Sequence, residues 1–130
     1  MFNDPTQWTV LIVDDEIHNL GVAEYVLRFH DAKSWKVTSG RECLEMLGVQ
    51  RPTFILLDIQ MPLMSGFEVL EAIRQNARLR SMPVIAMTSY AMPGDYERAM
   101  AAGFDGYITK PIQVATFIKE ITAILNNSAR

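Results

Sequence analysis

Four short apolar runs punctuate the chain, and each stops at a polar side chain. Thr9-Val10-Leu11-Ile12-Val13 runs into Asp14-Asp15, and Phe54-Ile55-Leu56-Leu57 runs into Asp58. Val84-Ile85-Ala86-Met87 stops at Thr88, and Gly106-Tyr107-Ile108-Thr109 at Lys110. A weaker candidate, Trp35-Lys36-Val37-Thr38, falls between the first two. Unbroken apolar runs of this length predict strands buried on both faces, as in a parallel sheet.

Helical periodicity fills the gaps between them. Leu20, Ala23, Val26 and Leu27 share one face, and Cys43, Leu44 and Leu47 another. Phe67, Leu70 and Ile73 follow Ser65-Gly66, while Tyr96, Ala99 and Met100 follow Pro93-Gly94-Asp95. Val114, Phe117, Ile118, Ile121, Ile124 and Leu125 form the last and clearest stripe. Gly103 stands where a left-handed C-terminal stop would end the fourth helix. Strands alternating with helices predict an α/β fold, a doubly wound five-stranded parallel sheet with five helices covering both faces. Right-handed crossovers leave few topologies open.

The 130 residues suit a single domain, with a packed core over about 9–125 and short polar ends. Hydrophobic residues at 49% and charged residues at 21% fit an ordinary globular chain and argue against disorder. A net charge of −3, from 12 basic and 15 acidic residues, gives no general affinity for nucleic acid or an anionic membrane. Arg74, Arg78 and Arg80 are expected to form a solvated face rather than a phosphate contact. One cysteine, Cys43, excludes an internal disulfide and reads as a small core residue. His18 and His30 lack partners at ligand spacing and read as surface residues. The eight methionines suggest adaptable packing, with Met61, Met64 and Met92 on loops near the strand ends. No signal peptide and no spanning apolar run is present, so a cytoplasmic location is expected.

The chemistry gathers at the strand ends, where open α/β sheets bind ligands. Asp14, Asp15, Asp58, Thr88 and Lys110 all fall on that rim. Alone, Asp14-Asp15 could simply end a strand and cap the helix from Ile17. Together with Asp58 they raise an electrostatic problem. Two carboxylates about 4 Å apart repel by roughly 4 kcal/mol at an effective dielectric near 20. Lys110 cannot balance three of them, whereas a divalent cation would, and hard oxygen donors favour Mg²⁺. Carboxylates, a metal and a fixed ammonium are what phosphoryl transfer needs, and Asp58 could serve as the nucleophile, forming an acyl phosphate.

At this point the residues match a known family. The chain resembles the receiver domains of bacterial response regulators, and is similar to the stand-alone regulators of chemotaxis and cell-cycle signalling. The likeness runs from about Val10 to Leu125 and is carried by four motifs: Val13-Asp14-Asp15-Glu16, Leu57-Asp58-Ile59-Gln60-Met61-Pro62-Leu63-Met64-Ser65-Gly66, Met87-Thr88-Ser89-Tyr90-Ala91 and Ala102-Gly103-Phe104-Asp105-Gly106-Tyr107-Ile108-Thr109-Lys110-Pro111. It implies the flavodoxin-like strand order 2-1-3-4-5. It makes Asp58 the phosphoacceptor, supplied from a phosphohistidine on a sensor histidine kinase or histidine phosphotransfer protein. Mg²⁺ is implied to sit on Asp15, Asp58 and the backbone carbonyl of Gln60, with Asp14 acting through water. Thr88 and Lys110 are implied to bind phosphoryl oxygens, across a cis Lys110-Pro111 bond. Tyr107 occupies the switch-aromatic position, turning inward when Thr88 is drawn to the phosphate. Gln60 and Tyr90 border the site and are expected to set the phosphate lifetime.

The function expected is therefore a phosphoacceptor switch of a two-component system or phosphorelay. It would catalyse only its own phosphorylation and dephosphorylation, signal to a downstream protein, and exist as a monomer or a phosphorylation-dependent dimer. Three alternatives remain beside it. An aspartyl-phosphate phosphatase wants a second acid two residues after the nucleophile, where Gln60 stands. A flavin carrier wants a Ser/Thr- or Gly-rich phosphate loop where Asp14-Asp15-Glu16 stands, and those acids would repel phosphate. The chain could also be a receiver cut from a hybrid kinase or multidomain regulator, since only Asn126-Asn127-Ser128-Ala129-Arg130 follow Leu125.

Overall fold

The computed structural model describes residues 2–89 and 92–128. Five strands, β1 (Thr9–Val13), β2 (Lys33–Val37), β3 (Phe54–Asp58), β4 (Val84–Thr88) and β5 (Gly106–Thr109), form one sheet in the order β2-β1-β3-β4-β5. All four pairings are parallel. The helices are α1 (Ile17–Phe29), α2 (Gly40–Leu47), α3 (Gly66–Gln75), α4 (Asp95–Ala102) and α5 (Phe117–Asn127). The doubly wound arrangement is the one expected from the alternating pattern, and the flavodoxin-like strand order is the one the family resemblance implied.

The side-chain alternation of the strands divides the core in two. Leu11, Val13, Ile55, Leu57, Val84 and Ala86 face the layer built by α2, α3 and α4, where Cys43, Val69, Leu70 and Ala99 meet them. Val10, Ile12, Phe54, Leu56, Ile85 and Met87 face α1 and α5, which contribute Leu20, Val26, Phe117 and Ile121. Cys43 is fully buried in an apolar setting that pushes its thiol up to about 12, so it is a packing residue. The body also reaches one residue before β1: Trp8 is buried edge-on against Phe54, after a 3-10 turn at Pro5–Gln7.

Several local expectations are corrected. The second strand begins two residues early, at Lys33, because it is an edge strand with one half-exposed face and no apolar run to mark it. The α1 cap is neither Asp14 nor Asp15 but Glu16, whose carboxylate accepts from the His18 N–H at 3.0 Å. Tyr96 lies on the exposed side of α4, not among the core residues. Val114 precedes α5 and is exposed, because the helix starts only at Phe117. Met61, by contrast, is drawn into the core.

Arg74 is not part of a solvated face. Its guanidinium donates to the carbonyls of Gly103, Arg80 and Met82 and pairs with buried Asp105 at 3.1 Å. Asp105 also accepts from the Val84 N–H and from the Ser128 hydroxyl. One side chain thereby ties the end of α3 to the starts of β4 and β5 and the end of α4. Gly103 closes α4 with a left-handed φ of 110°, as its position predicted. No helix among the described residues is long and apolar enough to cross a membrane.

Candidate functional site

The parallel register brings the strand ends to one rim. Val13 pairs with Leu57, Asp58 with Met87, and Thr88 with Thr109, so Asp14, Asp58, Thr88 and Lys110 lie side by side. Backbone hydrogen bonds extend the sheet past its last residues and fix their directions. The Ile59 N–H donates to the Met87 carbonyl at 2.9 Å, and the Lys110 N–H to the Thr88 carbonyl at 2.7 Å. The Lys110–Pro111 peptide is cis.

The loop after Asp58 is folded tightly back onto it. Gly66 N–H donates to the Ile59 carbonyl at 2.8 Å, and Ser65 and Glu68 form a reciprocal capping box that starts α3. A Cβ on Gly66 would fall 2.5 Å from the Asp58 carbonyl oxygen and 2.7 Å from the Ile59 Cα. Glycine is required there by close approach of backbone to backbone, not by a left-handed turn.

Between the loops lies a cleft of about 230 Å³, lined by Asp14, Asp15, Glu16, Asn19, Asp58, Gln60, Ser89 and Lys110. Asp14 is wholly buried and Asp58 is 4% exposed. Lys110 Nζ stands 2.8 Å from Asp14 Oδ2 and 3.5 Å from Asp58 Oδ1. The second Asp14 oxygen accepts from the Glu16 N–H at 2.9 Å, and Asp58 Oδ1 from the Gln60 N–H at 3.1 Å. One carboxylate oxygen from each of Asp14, Asp15 and Asp58 lies within 4.8 Å of the others. Burial pushes the Asp58 carboxyl up to about 6, with Asp14 and Asp15 adding to the rise and Lys110 and the Gln60 N–H opposing it. A single ammonium does not neutralise this group. A hard divalent cation fits the deficit and the all-oxygen donor set.

Of the residues singled out in the sequence, Asp14, Asp15, Asp58, Gln60 and Lys110 line the cleft together. Thr88 is buried at the β4 end of the same rim. Tyr107, one strand further out, packs edge-to-face on Tyr96 with ring centroids 6.1 Å apart. Tyr90 lies outside the described residues. Glu16, Asn19 and Ser89 were not anticipated as cleft residues. Their signal was adjacency: Glu16 and Ser89 directly follow Asp15 and Thr88, and Asn19 comes a turn later on α1.

Residues 10–122 match the profile of the response regulator receiver domain. The chain belongs to that family. A polar-differentiation response regulator DivK from Brucella anthropi is 37% identical over 120 residues, spanning 92% of this chain and 98% of that protein. Among solved structures, the chemotaxis response regulator CheY4 of Vibrio cholerae superposes with a TM-score of 0.82 at 28% identity, covering 89% of this chain and 97% of that one. The N-terminal domain of a response regulator receiver protein from Methanoculleus marisnigri is 32% identical with a TM-score of 0.74, covering 95% and 98%. The protein is thus a two-component receiver domain, a signalling module rather than an enzyme acting on a metabolite. Its acidic cleft is the place where such domains generally hold Mg²⁺.

Proposed function

We propose that Asp58 is the phosphoacceptor and that the chain works as a single receiver domain in the cytoplasm, over 1–130 with its core at about 9–125. The observation that carries this reading is a buried carboxylate flanked by two others and one ammonium, in a charged cleft at the strand ends. An Asp58 oxygen attacks the phosphorus of a phosphohistidine on a sensor kinase or phosphotransfer protein. The new P–O bond forms as the P–N bond breaks, and the imidazole leaves with the electron pair and takes a proton. Lys110, already 3.5 Å from Asp58, pairs with a phosphoryl oxygen, and Thr88 bonds another.

Asp15, Asp58 and the Gln60 carbonyl would hold Mg²⁺, and Asp14 would act through water, since both of its oxygens are already engaged. The ion, when bound, neutralises charge on the transferring phosphoryl oxygens. Gln60, which lines the cleft, and Tyr90, two residues after Thr88 in the sequence, set the lifetime of the acyl phosphate. Gln60 also argues against a phosphatase, since an amide cannot protonate a leaving group. The domain's own chemistry then consists of autophosphorylation from small donors and self-dephosphorylation.

The switch aromatic in this reading is Tyr107. Its hydroxyl is buried with no hydrogen-bond partner among the described residues, and Asp95 near it adds to the effect of burial in raising its pKa. A buried hydroxyl left without an acceptor favours any rearrangement that supplies one. Movement of Thr88 toward the phosphate would then be read by a downstream protein at the α4–β5–α5 surface, by a monomer or a phosphorylation-dependent dimer.

Intact mass after incubation with acetyl phosphate tests the reading. Wild type is expected to gain one phosphoryl group only with Mg²⁺, and Asp58→Ala none. A gain that persists in Asp58→Ala would move the nucleophile elsewhere and overturn the assignment.

A further inference from the structure

Leu63 is the most exposed large apolar side chain among the described residues, at 105% of its reference area. Its backbone is left-handed, with φ 70°, a region that side-chain sterics disfavour for leucine. The Met64 N–H donates to the Pro62 carbonyl at 2.7 Å, which closes a three-residue turn around Leu63. A γ-turn of this hand is rare and strained. Its neighbours hold it in place: Met61 is buried in the core, Met64 packs against it, and Ser65 caps α3. The chain therefore fixes an apolar side chain pointing into water, in a disfavoured backbone conformation that no burial of Leu63 among the described residues offsets.

The loop that carries it joins Asp58 to α3 and so borders the cleft. Three other exposed apolar side chains stand on the remaining segments that frame the same rim: Ile17 at the start of α1, Met92 after β4 and Val114 after β5. The cleft inside them is charged. Asp58 is only 4% exposed, so a protein that delivers a phosphoryl group must cover this rim to reach it.

Resting on the reading of Asp58 as phosphoacceptor, we propose that Leu63 is an apolar anchor for the phosphohistidine-bearing partner and seats in an apolar depression of that protein. Strain held in place at a functional rim is the pattern expected of a binding contact. A small donor passes inside the ring and does not meet it.

The test compares two donors on wild type, Leu63→Asn and Leu63→Met. Asparagine accepts the left-handed backbone but removes the apolar surface, while methionine keeps that surface. The small donor is acetyl phosphate. The protein donor is the autophosphorylated cytoplasmic domain of a sensor histidine kinase, taken from a panel as the fastest donor to wild type. Expected for Leu63→Asn is about a tenfold rise in the half-saturating donor-protein concentration, with the maximal transfer rate and the acetyl phosphate rate unchanged. Leu63→Met restores wild-type transfer. Equal protein-donor kinetics in wild type and Leu63→Asn overturn the inference. So does a parallel loss with acetyl phosphate, which would make Leu63 a shaper of the site itself. Concentration-dependent sedimentation that weakens in Leu63→Asn would reassign the side chain to contact between copies. Failure of wild type to take a phosphoryl group from either donor would instead refute the reading of Asp58.

Discussion

Asp58 is held in tension by its own fold. Its carboxyl rises from the ordinary 3.8 to about 6, chiefly because burial penalises the charged form. A folded-state value above the unfolded one means the folded state binds the extra proton. That contribution to stability is complete below about pH 4 and is lost as pH climbs through about 6. In metal-free buffer, wild type is therefore expected to lose on the order of 1–3 kcal/mol relative to Asp58→Asn between pH 4 and pH 7, because each tenfold difference in proton affinity between the two states is worth about 1.4 kcal/mol. Urea denaturation of both proteins across that range measures it. Parallel curves would mean that Lys110 already balances the buried charge. Mg²⁺ at millimolar concentration should close the gap for wild type and leave the asparagine variant nearly unmoved.

The loop from β3 to α3 shows how an element, rather than a side chain, sets the site. Gly66 lets α3 begin directly against the Asp58 carbonyl. Gly66→Ala puts a methyl into backbone that has no room to retreat. The expected result is a loss of about 1–3 kcal/mol in chemical denaturation, with slower phosphorylation from acetyl phosphate because the Asp58 peptide must shift. Unchanged stability would show that α3 can slide outward without cost.

Elements also differ in how legible they are in the sequence. Strands β1, β3 and β4 stand out because burial on both faces leaves an unbroken apolar run that must end where the rim begins, whereas β5, the other edge strand, is short and fully buried only at Gly106 and Ile108. Edge strand β2 carries Lys33, Ser34 and Lys36, so its pattern reads as half a strand and hides where it starts. Tyr96 obeys helical spacing yet faces solvent, because its ring is spent on Tyr107 rather than on the core. Arg74 is opaque for another reason. Carbonyls near it in space belong to residues as far away as Gly103, and no local pattern encodes such a contact. The residue types at the site are legible; their coupling, with Lys110 already committed to Asp14, is not.

At the scale of the molecule, Arg74 and Asp105 lock layers that the sheet alone does not join. Arg74→Met removes the cation from a carboxylate whose side chain is 2% exposed. The expected cost is about 3 kcal/mol, since a buried charge left by its partner is strongly destabilising. Guanidinium denaturation checks it, and below the transition the variant should still take a phosphoryl group on Asp58. Loss of phosphorylation in the folded variant would show that the lock also sets the rim.

The same pole of the molecule gathers the described ends of the chain. The Phe2 N–H donates to the Asn126 side chain, which also donates to Asn3, while Ser128 holds Asp105 beside the start of β5. Residues 2–3 and 126–128 thus meet at the foot of the sheet, at the opposite strand ends from the acidic cleft. A fluorophore, a surface tether or an affinity handle attached at either end leaves the reactive pole facing outward. A short peptide could also join the two ends and let the polypeptide be opened elsewhere, turning the order of its segments without moving a residue of the site.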